Sequence, residues 1–182
     1  MNKYYLNKDE AVLLIIDIQE RMLPVINKAD NVAQRNEVLI EAAKLLGLPI
    51  IVTEHNAEGL GHTVDQLIQK MPEAKVFHKN TFSACNKEFL NNLNNLKRNK
   101  IIVTGTETHV CVYQTVRSLL DNGFSVFLVE DAVGSRAEMT LNNAISQMRD
   151  MGAVITNTET AVFDLLKESG TPEFKALLKL IK

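Results

Sequence analysis

Short apolar runs that alternate with stretches of helical period constrain this chain more than any other feature of it. Ala11 to Asp17 (AVLLIID) has no polar residue before its last position, so it reads as a strand covered on both faces. Asn31 to Leu46 follows with Val32, Leu39, Ala42, Ala43 and Leu46 at helical spacing; Gly47 is placed to end that helix, and Pro49 blocks its continuation. The alternation then repeats. Strands are predicted at Pro49–Thr53, Ala74–His78, Lys100–Thr104, Phe124–Val129 and Ala153–Thr156. Helices are predicted at Glu88–Leu96, His109–Asp121 and Ala137–Met151, with a final amphipathic helix over Pro172–Ile181. Glu54 to Met71 reads as a long loop followed by a short helix, and loops of that length are more often functional than idle.

Strands covered on both faces need a helical layer above and below, and parallel strands joined through helices need right-handed crossovers. The predicted architecture is therefore α/β: three layers, α/β/α, around a six-stranded, mainly parallel, Rossmann-like sheet. The chain has 182 residues, 46% of them hydrophobic, enough for one core, and no repeat or linker divides residues 1–182, so a single domain is expected. A net charge of -2 with both signs interspersed leaves no clustered basic field, which argues against nucleic acid as a partner. Lys97-Arg98-Asn99-Lys100, the longest basic cluster, reads as a solvated turn before a strand. Two cysteines, Cys85 and Cys111, in a chain too large to need staples point to a reducing compartment. Met1 to Glu10 lacks the signal-peptide pattern, and no apolar run reaches the roughly 20 residues of a membrane span. A cytoplasmic protein without membrane partners is the expectation.

In open α/β sheets, ligands bind beyond the carboxyl ends of the strands, near the point where strand order reverses. The first predicted strand ends at Asp17, the third leads to Lys79, and the fourth leads through a Gly-Thr-Glu-Thr turn to Cys111. An acid, an amine and a thiol thus reach one rim. Each alone has an ordinary reading, as a turn residue, a surface lysine or a small buried hydrophobe; their convergence singles them out. The thiolate is the reactive form of cysteine. A helix start and a neighbouring ammonium would both favour it, so Cys111 is expected to titrate below its ordinary value, with Asp17 accepting the proton. On the helix after the turn, Val112, Val116, Leu119 and Leu120 form the predicted inward face, leaving Cys111, Thr115 and Ser118 elsewhere on the surface.

Three ordered segments, "LLIIDIQERM", "FHKNTFSA" and "VTGTETHVCVYQTV", resemble the isochorismatase-like cysteine hydrolases. The likeness rests on Asp17 and Gln19, on Lys79 with Phe82 and Ser83, and on Gly105 to Val112. "VTEHNAEGLGHTV" and "PEFKALLKLIK" resemble the isochorismatase-domain-containing branch. The resemblance implies that family's hydrolase fold and a triad of Asp17, Lys79 and Cys111. It implies a cis peptide at Thr106–Glu107, an oxyanion hole from the backbone N–H groups of Glu107 and Cys111, and substrate contacts from Gln19, His55, Phe82, Thr106 and His109. It further implies cleavage of a small amide or related C–N carbonyl compound through a thioester, without a metal or cofactor, in a homo-oligomer. Glu54, His55 and His62 lack the Asp-x-His spacing of the metal-binding nicotinamidases, so His55 and His62 are read as loop or pocket-rim residues. Cys85 is read as packing. The alternatives are a vinyl-ether or metal-assisted hydrolase, and a non-catalytic scaffold with a residual triad.

Overall fold

The apolar run at the start of the chain forms β1 (Ala11–Ile16), buried along its whole length. In the computed structural model, which describes residues 3–181, β1 lies at the centre of a six-stranded sheet. Its neighbours are β2 (Ile50–His55) and β4 (Lys100–Thr106). With β3 (Lys75–Lys79), β5 (Ser125–Gly134) and β6 (Val154–Thr156), the order is β3-β2-β1-β4-β5-β6, and every pairing is parallel.

Successive side chains of β1 point to opposite faces, and the core divides accordingly. Leu13 and Ile15 belong to one apolar cluster with Leu39, Ala43, Phe127, Val162 and Leu177. That layer is built from α1 (Ala29–Leu46), α7 (Thr158–Leu166) and α8 (Pro172–Ile181). Val12, Leu14 and Ile16 belong to the other, with Phe89, Val103, Val116, Leu119 and Met148. Those helical residues come from α4 (Lys87–Asn95), α5 (Tyr113–Asp121) and α6 (Glu138–Asp150). Each fully buried side chain of this size contributes roughly 1.5–3 kcal/mol, so both helical layers are held by the strand that carries the first site residue at its end.

Local sequence sets the element ends. Gly47 closes α1 in the left-handed region at φ 70°, its N–H reaching the carbonyls of Ala43 and Lys44. Asn157 starts α7, an element the periodicity did not separate, by accepting the Thr160 N–H at 2.8 Å. Leu177 is fully buried, so the tail helix docks on its own domain. Short helices α2 (Ala57–Leu60) and α3 (Asp65–Ile68) occupy the long loop. The fifth strand runs five residues beyond the predicted Val129, because a register shift opposite Val103 and Gly105 lets polar Glu130 and Asp131 pass before pairing resumes at Val133. The predicted helix at His109 also changes: Thr108–Val112 is a wide π-type turn, with Val112 N–H reaching Glu107 O at 3.2 Å, and α-helix begins only at Tyr113. Such turns often occur at functional sites. Among the described residues, no helix is long and apolar enough to cross a membrane.

The strand order reverses between β1 and β4, since β2 and β3 lie on one side and β5 and β6 on the other. Two features lie beside that seam. Asn36 of α1 is fully buried and bridges to β4 and β5, donating to Ala132 O at 3.0 Å and accepting from Thr104 Oγ1 at 2.6 Å. Gly105 sits opposite Ile16 at φ 116°, where a Cβ would lie 2.0 Å from the Ile16 carbonyl oxygen. Replacing Gly105 by Ala is expected to cost about 3 kcal/mol or more through backbone overlap. Gly123→Ala, at φ 83° with nothing within 4 Å, is expected to cost only the left-handed strain of about 1–2 kcal/mol. Urea unfolding of the two variants measures the difference.

Candidate active site

Asp17 follows β1 directly, in the left-handed region at φ 51°, and is 2% exposed. Its N–H donates to Thr53 O at 3.0 Å, and its carbonyl accepts from Thr106 Oγ1 at 2.7 Å, so three strand ends are tied at this residue. The carboxylate is held at both oxygens. Thr53 Oγ1 donates to Oδ1 at 2.7 Å, and Lys79 Nζ donates to Oδ2 at 2.6 Å. Lys79 ends β3, two strands from β1 at a spacing of about 4.8 Å per strand, so only a long side chain spans the gap over Thr53. Its remaining donors go to the carbonyls of Thr81 (3.3 Å) and Phe82 (3.1 Å). Both side chains are almost fully out of water.

Cys111 lies in the π-type turn, 7% exposed, and lines the same cavity as Asp17. The thiol does not titrate as expected. Burial, and then the Asp17 charge, push it up to about 12, against the opposing pull of Lys79. Lys79 lowers it as expected, but by less than burial and Asp17 raise it, and the same ammonium holds the Asp17 carboxylate at 2.6 Å. Cys85 is also pushed up to about 12, by burial alone, with Ser83 opposing.

The cavity has a volume of about 250 Å³ and is lined by Asp17, His55, Asn56, Phe82, Thr106, Glu107 and Cys111, with Met22, Leu60 and Val110 as apolar wall. Among the described residues, a larger hollow of about 530 Å³ beside the end of α1 is lined by no cysteine, serine or threonine; Cys111 lies at the smaller one. The Thr106–Glu107 peptide is cis. The Glu107 carbonyl accepts from Val110 N–H (3.0 Å) and Val112 N–H (3.2 Å), the two residues flanking Cys111. Its carboxylate is taken by Arg136, whose Nε donates at 2.8 Å.

Of the residues the resemblance assigned to substrate, His55, Phe82 and Thr106 line the cavity and two others do not. Gln19 is fully buried, and its amide is occupied by backbone: Oε1 accepts from His55 N–H at 2.8 Å, and Nε2 donates to His55 O (3.0 Å) and Gly61 O (2.6 Å). It positions the loop. His109 lines a separate hollow with Tyr113, Asn143 and Gln147, its Nδ1 3.0 Å from Ser135 Oγ. Thr115, expected at the surface, is fully buried because its hydroxyl accepts the Ala84 N–H at 3.0 Å from the segment that carries Phe82.

The sequence reading missed Thr53 and Arg136, and it weighed Glu54 only for metal-ligand spacing. The Glu54 carboxylate takes the N–H and hydroxyl of Thr63, both at 2.8 Å, and lies 2.9 Å from His62 Nδ1 and 3.3 Å from His78 Nδ1. Burial would raise its pKa, but the Thr63 and His62 bonds outweigh that and hold it below its ordinary range. His62 is raised by the same contact. His62 is therefore a clasp on the loop that carries Leu60.

Comparison with known proteins bears on this arrangement. The isochorismatase domain matches residues 11–160. The chain is 38% identical over 177 residues to the secreted isochorismatase effector Isc1 of Phytophthora sojae, covering 94% of this chain and 84% of that protein. It is 38% identical over 180 residues to isochorismatase family protein 1A of Dictyostelium discoideum, covering 96% and 87%. Among solved structures, it is similar to the MAR1 ribonuclease of Caenorhabditis elegans, with TM-score 0.93, 36% identity and coverage of 97% and 92%. YcaC from Pseudomonas aeruginosa, solved with hexane-2,5-diol and covalent acrylamide, gives 0.92, 26%, 99% and 93%. YcaC of Escherichia coli, described as an octameric hydrolase of unknown specificity, gives 0.91, 26%, 97% and 90%.

The raised thiol gives the pH dependence a definite sign. Only the thiolate reacts, so Cys111 alkylation by iodoacetamide is expected to climb about tenfold per pH unit from pH 8 to about 10 without levelling. Peptide mapping by mass spectrometry checks it, and a plateau below pH 9 contradicts it. Because the folded value lies above the unfolded value of 9.0, the stability linked to this thiol is complete below pH 9 and is lost as pH rises toward about 12.

Proposed function

Because the chain belongs to the isochorismatase family, we propose that it is a metal-independent cysteine hydrolase in which Cys111 attacks a small amide or related C–N carbonyl compound. The observation that carries this reading is Asp17, paired with buried Lys79, lining one small cavity together with Cys111. A thiol protonated at neutral pH needs a base beside it. Asp17 takes the Sγ proton as sulfur bonds to the carbonyl carbon, and the carbonyl electron pair moves to oxygen. The backbone N–H groups of Glu107 and Cys111 are the proposed donors to that oxygen; a donor of this kind is worth about 2.7–4 kcal/mol in the transition state. Collapse breaks the C–N bond, and the leaving amine takes the proton from Asp17, leaving a thioester. Water then attacks, giving one proton to Asp17 and its oxygen to the acyl group; the released thiolate recovers that proton. The covalent acrylamide on Pseudomonas aeruginosa YcaC agrees with a nucleophile of this type.

The small cavity and the net charge of -2 favour a small molecule over nucleic acid, the ribonuclease name of one relative notwithstanding. Two unpaired thiols favour a reducing compartment, although one relative is named a secreted effector. The octameric Escherichia coli relative and the half-exposed Phe82 at the cavity support a homo-oligomer. Light scattering at micromolar concentration is expected to give a mass several times 20.4 kDa.

The decisive experiment is a panel of small amides, ureides and hydroxamates offered to the wild type and to Cys111→Ala. Hydrolysis is expected to fall by about 10⁴-fold or more in the variant; activity that survives the substitution overturns the reading. Lys79→Met leaves a buried carboxylate unpaired and is expected to cost about 3–5 kcal/mol of stability. The Asp17→Asn/Lys79→Met double variant is expected to regain much of that loss in urea unfolding while remaining inactive, which separates the charge balance of the pair from its chemistry.

A further inference from the structure

The geometry points to Arg136 as a positioning residue for the oxyanion donor: it holds Glu107 so that the Glu107 N–H stays aimed at the substrate carbonyl. This rests on the reading that Cys111 is the nucleophile and that the Glu107 and Cys111 N–H groups receive the negative charge. The support lies at the far end of β5. Beyond its register shift, Val133 and Gly134 pair with Gly105 and Thr106, the last residues of β4. The chain then runs beside the turn that leads to Cys111, and three consecutive positions on one segment meet three on the other. Gly134 O accepts from Thr108 Oγ1 at 2.9 Å, Ser135 Oγ lies 3.0 Å from His109 Nδ1, and Arg136 takes Glu107. The gripping segment is itself fixed. A Cβ on Gly134 would lie 2.5 Å from Ile26 Cγ2, Ser135 is 1% exposed, and its carbonyl accepts the Asn27 N–H at 3.0 Å.

Of the three contacts, the one from Arg136 falls on the residue that carries the proposed donor. A single oxygen of Glu107, Oε1, accepts from Arg136 Nε at 2.8 Å and from the Arg136 N–H at 3.3 Å. The Glu107 carbonyl accepts from the Val110 and Val112 N–H groups. Glu107 is thus tethered through its side chain to the end of β5 and through its carbonyl to the turn. Thr106, on the other side of the peptide that bears the donor, is held by its pairing with Gly134 and by its bond to Asp17 O. The Arg136 side chain is 64% exposed, and an ion pair with that access to water adds little stability. What the guanidinium supplies is direction, because its planar fork fixes where the carboxylate stands.

Trifluoroacetone tests this, because it builds the same anion without a leaving group. Sγ bonds to its carbonyl carbon, the carbonyl π pair moves to oxygen, the Sγ proton passes to Asp17, and reaction stops at a reversible hemithioketal. Fluorine NMR resolves that adduct and gives its dissociation constant, with Cys111→Ala as the blank. Iodoacetamide alkylation at about pH 9 is the second readout, since displacement at its saturated carbon builds no charge on the carbonyl oxygen. Arg136→Ala is expected to weaken the adduct by at least about tenfold, as a misplacement of about 1 Å in such a site costs about 100-fold. Alkylation is expected to change by less than about twofold. Glu107→Ala is expected to match the loss, and the Glu107→Ala/Arg136→Ala double variant to be no weaker than either alone. Arg136→Lys, which keeps the cation and the backbone donor but not the fork, is expected to fall between. An adduct of wild-type strength in Arg136→Ala overturns the proposal, and so do losses that add in the double variant. Wild-type strength in Glu107→Ala overturns it too, since Arg136 would then only neutralise the Glu107 charge. Faster alkylation in both Arg136 variants marks a loosened fold and likewise counts against it. A wild type that forms no adduct fails the nucleophile reading itself, and the proposal falls with it.

Discussion

A carboxylate removed from water is the fact to which most of this site answers. Asp17 is 2% exposed, and an isolated buried charge of that kind is too costly to persist without a partner and further hydrogen bonds. The fold meets that demand from three strands at once. Thr53 of β2 covers one oxygen, Lys79 reaches over from β3 to the other, and Thr106 at the end of β4 secures the backbone. The arrangement works only where neighbouring strand ends lie level, so the register of Ile16 against Thr53 and against Gly105 is part of the site. Gly105 permits that close approach, and the same turn continues into Glu107 and Cys111.

The strand order then determines what else arrives. With β4 beside β1, the segment after β4 rises over the Asp17 side of the seam, and the turn preceding α5 brings Cys111 to the cavity. The opposite wall comes from the ends of β2 and β3, as His55 and Phe82. Gln19 links the two halves, because its amide leaves the β1 side and clasps the His55 backbone. One short stretch, Asp17 to Gln19, therefore supplies the charged centre and the brace for the wall facing it.

Much of this was legible in the sequence because burial leaves a pattern. A strand covered on both faces shows as AVLLIID, and a residue that ends such a strand falls at the sheet's carboxyl rim, so Asp17, Lys79 and Cys111 could be assigned to one edge. The misreadings arose where a side chain's partner is remote in sequence. Lys79 does lower the Cys111 thiol, but burial and the Asp17 carboxylate, which Lys79 reaches across 62 residues, outweigh it. Gln19 and His109 were assigned to substrate, yet each is occupied by a contact with a distant loop or hydroxyl. Thr115 and the long β5 follow the same rule: an Ala84 N–H buries the one, and a register shift extends the other past two acidic residues. Asn157 was different, since its cap is local and Asn-Thr-Glu-Thr carries the signal for a helix start.

The raised thiol gives the charge balance a chemical consequence. A lowered pKa would place a standing thiolate beside Asp17, adding a second anion where Lys79 is already paired with the first. With burial and Asp17 holding the proton on sulfur, the resting site keeps one anion and one cation in contact. In the proposed attack the proton moves from Sγ to Asp17 as negative charge passes through sulfur to the carbonyl oxygen. The net charge of the cavity is then unchanged from rest to intermediate, and no counter-ion has to enter a space of about 250 Å³. The electrostatics that suppress the free thiolate are in this way the same as those that let the proposed attack proceed without a change of charge.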